Sequence, residues 1–122
     1  MVVAVPAVRL PRDWPESVAP PGSEDWELSA ISWLLEWTPG YRLSPVLRRH
    51  PVMLAYIASH TLDGAVEGAR QGYRIARTAL GEAVPPHAVD GALVAYRDEG
   101  RRLAAAARGA HLVERALRGE PL

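Results

Sequence analysis

Two histidine–carboxylate pairs have the residue types and spacing that suit metal binding. His60 lies three residues before Asp63, which places both side chains on one helical face. His111 and Glu114 have the same spacing, and folding the chain back at Pro85 would bring the two pairs opposite each other. His60, however, falls on the side opposite the apolar seam of its helix, and His111 only flanks the seam of its own. Because the four side chains do not converge on one buried point, we predict no metal site and no cofactor.

Arginine supplies a second candidate site. The same fold-back brings Arg70, Arg74 and Arg77 near Arg97 and Arg101, and with Arg102 they form a candidate anion site, because guanidinium groups bind carboxylates and phosphates. Four of these arginines, two on each helix, are taken into the binding set. With three tryptophans they form the predicted binding set for an anionic or aromatic ligand: Trp26, Trp33, Trp37, Arg70, Arg74, Arg97 and Arg101. Two other interpretations stay open. The arginines could form ordinary surface ion pairs such as Glu67 with Arg70, or the acidic start of the first helix could dock on them.

The tryptophans also have a simpler interpretation. Trp26, Ala30, Trp33 and Trp37 step by four, three and four residues, which places the three indoles on one face of a helix. That spacing favours packing in a hydrophobic core, and a ligand-binding aromatic box is the alternative.

Nucleophilic catalysis has no basis in the sequence. There is no cysteine, no G-x-S-x-G motif, no phosphate-binding loop and no dinucleotide fingerprint. Ser59 adjoins His60, but neighbouring side chains on a helix diverge and do not form a triad. We therefore predict no catalytic residue and favour a protein that is not an enzyme.

Composition restricts the partners. The chain of 122 residues fits one domain, and its formal net charge of +0 removes the simplest case for nucleic-acid or anionic-membrane binding. Arg48, Arg49 and His50 form the main local basic run, which is too short to indicate a nucleic-acid site. All 14 basic residues are arginine, a bias that is typical of a GC-rich genome such as that of an actinobacterium.

The sequence predicts a cytoplasmic protein. The longest apolar stretch, residues 51–62, is too short to span a bilayer. Residues 1–10 are apolar but lack a preceding basic region, and Pro6 interrupts them, so they do not resemble a signal peptide.

The elements that would position these side chains are helices. Residues 1–22 carry five prolines and predict an extended arm that lies on its own bundle or on a partner subunit, with a disordered tail as the alternative. A first helix is expected from Ser23, as N-cap, to Trp37. Ser44 followed by Pro45 predicts one short helical turn, residues 45–49.

A long helical hairpin forms the rest of a single domain, residues 23–122. One helix is expected over 51–84, a turn at Pro85, and a second helix over 86–118. Alanine and glycine recur every three or four residues along both seams. Gly64, Gly68 and Gly72 each cost about 1 kcal/mol of helix propensity relative to alanine, so we expect a close helix–helix approach to compensate.

Small seam residues bury little area, so the hairpin is under-stabilised as a monomer. We therefore predict an all-α fold in which a long antiparallel hairpin and a shorter tryptophan-rich helix complete a four-helix-type core by homodimerisation. The favoured function is a non-enzymatic protein-interaction or scaffold module. The alternative is a helical protein that binds a small anionic or aromatic ligand in a pocket lined by tryptophan and arginine.

Overall fold

The architecture is all-helical. A computed structural model describes residues 9–122, and within that range there is no strand. The helices are α1 (Trp26–Trp37), α2 (Pro45–Arg49), α3 (Pro51–Leu80) and α4 (Pro86–Leu117), with a short 3-10 turn at Pro39–Tyr41. The two long helices, α3 and α4, pack against each other. The predicted all-α fold with two long paired helices and a shorter one is thus confirmed for the single chain. The first eight residues of the predicted arm lie outside the described range.

Proline marks the start of three of the helices. Pro45, Pro51 and Pro86 each occupy the first turn of α2, α3 and α4, where a missing N–H costs no hydrogen bond. At α2 the Ser44 hydroxyl oxygen accepts a hydrogen bond from the Leu47 N–H at 3.5 Å, so the predicted N-cap is confirmed.

The start of α1 differs from the prediction. The helix begins at Trp26, with Asp25 in the N-cap position and no side-chain capping hydrogen bond. Ser23 is not the cap, because its hydroxyl donates to the Pro20 carbonyl oxygen at 2.6 Å and closes a turn before the helix.

The hairpin turn also begins earlier than predicted. Helix α3 ends at Leu80, four residues before the expected end, and Gly81 is its C-cap. The N–H groups of Ala83 and Val84 both donate to the Leu80 carbonyl oxygen, at 3.0 and 3.1 Å. These bonds satisfy the end of the helix with a compact turn, which is why the helix does not continue to the prolines.

Contacts between α3 and α4 follow the order of an antiparallel pair. Near the turn, Arg77 pairs with Asp90 at 2.9 Å. At the opposite end the Ser59 hydroxyl donates to Glu114 at 3.0 Å. We call residues 51–65 of α3 and 102–117 of α4 the proximal half of the hairpin, and residues 66–80 and 86–101 the distal half.

The proximal half contains the main core. Helix α1, helix α2 and the segment before α1 all bury side chains against it. Its buried side chains include Trp33, Leu34, Leu47, Leu54, Ala58, Leu62, Ala110 and Val113. Several partly buried side chains, among them Trp26 and Trp37, pack around this cluster.

The distal half has a much smaller core, which comes from α3 and α4 alone. Ala76, Val89 and Leu93 are buried, and Leu80 packs against them. The apolar side chains that remain exposed on this half are Tyr73, Ile75, Val94 and Tyr96.

Residues 9–22 fold onto the proximal half in a series of turns. The Trp14 indole is buried, and its N–H donates to the Val18 carbonyl oxygen at 2.8 Å. The Ala19 N–H donates to the Ser29 hydroxyl of α1 at 2.9 Å. Burial of Trp14 and Val18 makes this segment part of the core of the same chain.

The glycines behave differently from one another. A Cβ built on Gly72 would lie 2.7 Å from the Tyr96 ring, whereas one on Gly64 or Gly68 would meet nothing within 4 Å. The expectation that all three mark a close helix contact is therefore wrong for Gly64 and Gly68. A step of four residues turns about 40° beyond a full helical turn, so the three glycines do not share one face and only Gly72 lies under a side chain of α4. The tight approach in α4 lies instead at Gly109.

Candidate functional site: an arginine-rimmed cleft

A surface cleft of about 680 Å³ runs between α3 and α4, mainly along the distal half. Arg70 and Arg74, one turn apart on α3, line one side of it, and Arg97 and Arg101 line the α4 side. Because the two helices are antiparallel, pairs that are distant in sequence reach the same level of the hairpin. The structure therefore brings together the four arginines of the predicted binding set, and their binding of a ligand stays a prediction.

The floor of the cleft is apolar and small. Besides the arginines, it is lined by Val66, Ala69, Tyr73, Tyr96, Gly100 and Ala104. The Tyr96 ring covers Gly72, where a side chain would collide with it, and the position of a Cβ on Gly100 is 3.9 Å from the Ala69 methyl group. Small residues on both helices therefore leave room for the two tyrosine rings beside the seam.

The rim carries an excess of positive charge. Glu67, which also lines the cleft, approaches Arg70 only to 3.9 Å, and both side chains are mostly exposed. Within residues 9–122, Arg74, Arg97 and Arg101 form no ion pair. A groove lined by both apolar side chains and guanidinium groups matches a ligand that has an apolar face and carboxylate or phosphate groups.

The tryptophans of the predicted binding set lie elsewhere. Trp33 is buried and Trp37 is partly buried in the proximal half, with their ring centroids 6.5 Å apart. Trp26 packs against Trp14, with ring centroids 6.0 Å apart. No tryptophan lines the arginine-rimmed cleft. The seven predicted residues thus occupy two separate places, because α1 lies along the proximal half only.

A second, smaller cleft of about 460 Å³ lies where residues 12–17 meet α1 and α4. Trp33 and Trp37 line it together with Arg102, whose guanidinium lies 4.5 Å from the centre of the Trp37 ring. Arg102 also donates two hydrogen bonds to Glu99, at 3.0 and 3.1 Å. These bonds lower the pKa of Glu99 and raise the pKa of Arg102. The Arg102 guanidinium therefore already has Glu99 and Trp37 as partners, and it lies outside the arginine-rimmed cleft.

One histidine–carboxylate contact crosses the hairpin, and it joins a residue of one predicted pair to a residue of the other. His111 lies 2.9 Å from an Asp63 carboxylate oxygen. Glu114 accepts hydrogen bonds from Ser59 and Arg118.

This arrangement does not bring the histidine and carboxylate side chains together as a set of metal ligands. The His60 ring packs against the ring of Tyr56, at a centroid distance of 4.5 Å. Among residues 9–122, no group of three or more histidine, aspartate or glutamate side chains is placed to hold a metal.

Several contacts around the clefts had no clear signal in the sequence. Trp14 gave no helical periodicity because prolines surround it, although its size indicated burial. Asp13 pairs with Arg108 of α4 at 3.2 Å, a contact that depends on how the amino-terminal segment folds. Tyr96 falls on the four-and-three seam of its helix, whereas the place of Tyr73 could be found only once the register of the two helices was known.

Comparisons with known proteins provide no relative: no protein-family description, no curated protein and no solved structure matches the chain. Over the described residues, none of the helices has the length and apolar character needed to cross a membrane.

Proposed function

We propose that this protein is a non-enzymatic interaction module that self-associates through the distal half of its hairpin. The proposal rests on one observation: other parts of the chain cover the proximal half of the hairpin but not the distal half. The proximal half buries its seam under α1, α2 and residues 9–22, whereas the distal half buries only a few side chains between two helices.

A two-helix hairpin with so little core is weakly stabilised. Helices in water gain most of their stability from packing an apolar face, and the buried cluster of Ala76, Val89 and Leu93 is small. Ile75 is 59% exposed and Val94 is 49% exposed, so apolar area is left for a partner. A second copy of the chain supplies matching helices and would extend the core of the distal half toward a four-helix arrangement.

Light scattering coupled to size-exclusion chromatography tests the proposal. We expect a mass of twice 13.3 kDa at micromolar concentration, with dissociation on dilution. The double variant Ile75→Glu/Val94→Glu should shift the protein to monomer, because both side chains are exposed in the single chain and their replacement removes only the intermolecular contact.

Leu43→Glu is the matched control. Leu43 is 95% exposed in the connector before α2, so the same type of change there should leave the dimer intact. A wild-type protein that stays monomeric throughout the concentration series would contradict self-association.

One observation favours a second candidate function, the binding of a small anionic ligand. Four arginines surround an apolar cleft that is large enough for such a molecule. Calorimetric titration with 2-naphthoate, an aromatic carboxylate, should give heat with the wild type and none with Arg97→Gln/Arg101→Gln. Equal or absent heats for both proteins would count against this candidate.

A further inference from the structure

The arginine-rimmed cleft has a matching surface elsewhere in the same chain. Glu24, Asp25 and Glu27 surround the start of α1, and Leu28 beside them is 71% exposed. We call residues 24–28 the acidic turn. We propose that the acidic turn of one copy docks in the arginine-rimmed cleft of a second copy, and that the contact is made reciprocally. The inference rests on the proposed self-association and specifies which surfaces meet.

Charge determines what the cleft can accept. Pairing two copies of the cleft face to face would place four arginines of one chain against four of the other, with only Glu67 of each to offset them. Like charges opposed at an interface cost free energy, so this face selects an acidic occupant over its own copy. In a four-helix arrangement built from the two distal halves, the two arginine rims must stay apart from each other, or acidic side chains must neutralise them.

The acidic turn has the properties of such an occupant. The side chains of Glu24, Asp25 and Glu27 are all exposed. None of them forms an ion pair with another described residue. Asp25 makes no capping hydrogen bond to its own helix. The three carboxylates are therefore available to guanidinium groups, which bind carboxylates through paired hydrogen bonds.

Leu28 supplies the apolar part of the match. It is one of the most exposed large apolar side chains among the described residues, and it follows Glu27 directly. The cleft offers Val66, Ala69 and the ring of Tyr73 as an apolar floor. A leucine seated among them with carboxylates at the rim would satisfy both components of the cleft.

Docking within one chain does not take place. Every residue that lines the cleft belongs to α3 or α4, and none belongs to α1. The start of α1 is held in the proximal half, where Trp26 packs against Trp14 and the Ala19 N–H donates to Ser29. The sequence-based alternative that the acidic first helix docks on the arginines of its own chain is thus not what the structure shows.

A second copy of the chain can bring an acidic turn to the cleft, which the start of α1 in the same chain does not reach. Each chain has one acidic turn and one cleft, so a two-fold dimer uses both features of both chains and closes without leaving a free copy of either. The contact is predicted to weaken with salt, because exposed charges are screened over about 10 Å at 0.1 M ionic strength.

Complementary charge reversal tests the proposal. Arg97→Glu/Arg101→Glu reverses the cleft, and Glu24→Arg/Glu27→Arg reverses the acidic turn. All four side chains are exposed, so both variants should fold, as circular dichroism would verify. We expect each variant alone to raise the dimer dissociation constant by on the order of tenfold or more, since several ion pairs become repulsive.

Mixing the two variants should restore dimerisation. In the mixture, the unchanged acidic turn of the cleft variant meets the unchanged cleft of the other, and at the reciprocal contact both charges are reversed. Native mass spectrometry should therefore detect the heterodimer in preference to either homodimer.

Arg42→Glu/Arg49→Glu is the control for the cleft variant, because it makes the same change in net charge. Both arginines are exposed and lie outside the cleft, so this variant should dimerise like the wild type.

The outcomes separate the inference from the proposed function. If the charge-reversed variants dimerise like the wild type while Ile75→Glu/Val94→Glu does not, self-association stands and the docking inference fails. Failure of the mixture to form a heterodimer also overturns the inference. The occupant of the cleft would then be something else, such as an acidic segment of another protein. A monomeric wild type overturns both.

Discussion

The proximal and distal halves of the hairpin belong to the same two helices but have different surroundings. In the proximal half, Leu54 and Val113 are fully buried because α1, α2 and residues 9–22 cover the helix pair. In the distal half, Leu93 is the largest buried side chain and no other helix contributes to the cluster. In the proximal half, α1, α2 and residues 9–22 add to the buried surface of the helix pair. In the distal half, α3 and α4 have only their contact with each other.

Glycine shows the same contrast at single positions. Gly109 lies under the amino-terminal segment: a Cβ there would be 3.0 Å from Pro15 and 3.2 Å from Trp33. Gly68 and Gly91 would meet nothing within 4 Å. The contrast is local and does not follow the two halves strictly: Gly64 in the proximal half is open, and Gly72 in the distal half lies under the Tyr96 ring, so a glycine matters only where a side chain or segment packs directly over it.

The largest expected effect compares two leucines. Leu54→Ala in the proximal core should lower the free energy of unfolding by about 3–5 kcal/mol, because the rigid surroundings cannot close the cavity. Leu93→Ala should cost about 2 kcal/mol, since Leu93 is 9% exposed and its cluster is small. Urea denaturation measures both values. Equal losses would show that the two halves are similarly packed.

The second effect compares two glycines. Gly109→Ala should destabilise the protein by about 1 kcal/mol net, because the added methyl group comes within 3.0–3.3 Å of Pro15, the Trp33 ring and the Asp13 carbonyl oxygen and forces them to shift, which outweighs its gain in helix propensity. Gly68→Ala should instead stabilise it by up to about 1 kcal/mol, through helix propensity alone. Thermal unfolding of both variants provides the measurement, and a neutral Gly109→Ala would mean that residues 13–15 do not hold against α4.

The third effect concerns local opening. In the monomeric Ile75→Glu/Val94→Glu variant, amide hydrogens of the distal half should exchange on the order of tenfold faster than those of the proximal half, because fewer buried contacts oppose opening. Hydrogen exchange followed by mass spectrometry resolves the two halves. In the proposed wild-type dimer the difference should shrink, and a difference that is unchanged would argue against cover of the distal half by a partner.

The smallest effect concerns the boundary between the halves, where Arg102 holds Glu99. Because the hydrogen bonds lower the pKa of Glu99 in the folded protein, this contact adds stability above the pKa of the unfolded chain and loses it as the pH falls through the folded value. The loss therefore lies below the ordinary glutamate range. An NMR titration of the Glu99 carboxyl carbon should show the lowered pKa, and Arg102→Gln should bring it back toward the ordinary value.

Local signals predicted much of the fold. Pro51 and Pro86 identified the starts of both long helices, and Ser44 with Pro45 identified α2, because these residues act within one helical turn. The ends were harder: the choice between Ser23 and Asp25, or between Leu80 and Val84, depends on which turn hydrogen bonds form around each end.

The candidate site could be predicted only in part. The fold-back placed four arginines at one level, because an error of a residue or two still leaves long side chains in reach of one cleft. Arg102 differs from Arg101 by one position, yet a rotation of about 100° directs it to Trp37 instead. The pairing of His111 with Asp63 needed the exact register of α3 against α4, which side-chain packing decides.

The distribution of indoles along the molecule has a practical consequence. All four tryptophans (Trp14, Trp26, Trp33 and Trp37) belong to or pack against the proximal core, and none lies in the distal half. Tryptophan fluorescence, excited selectively over tyrosine, therefore observes one half of the hairpin only, while far-ultraviolet circular dichroism observes the backbone of both. The chain thus contains its own spectroscopic label, and the two signals recorded on one sample will separate fraying of the distal helices from loss of the whole fold.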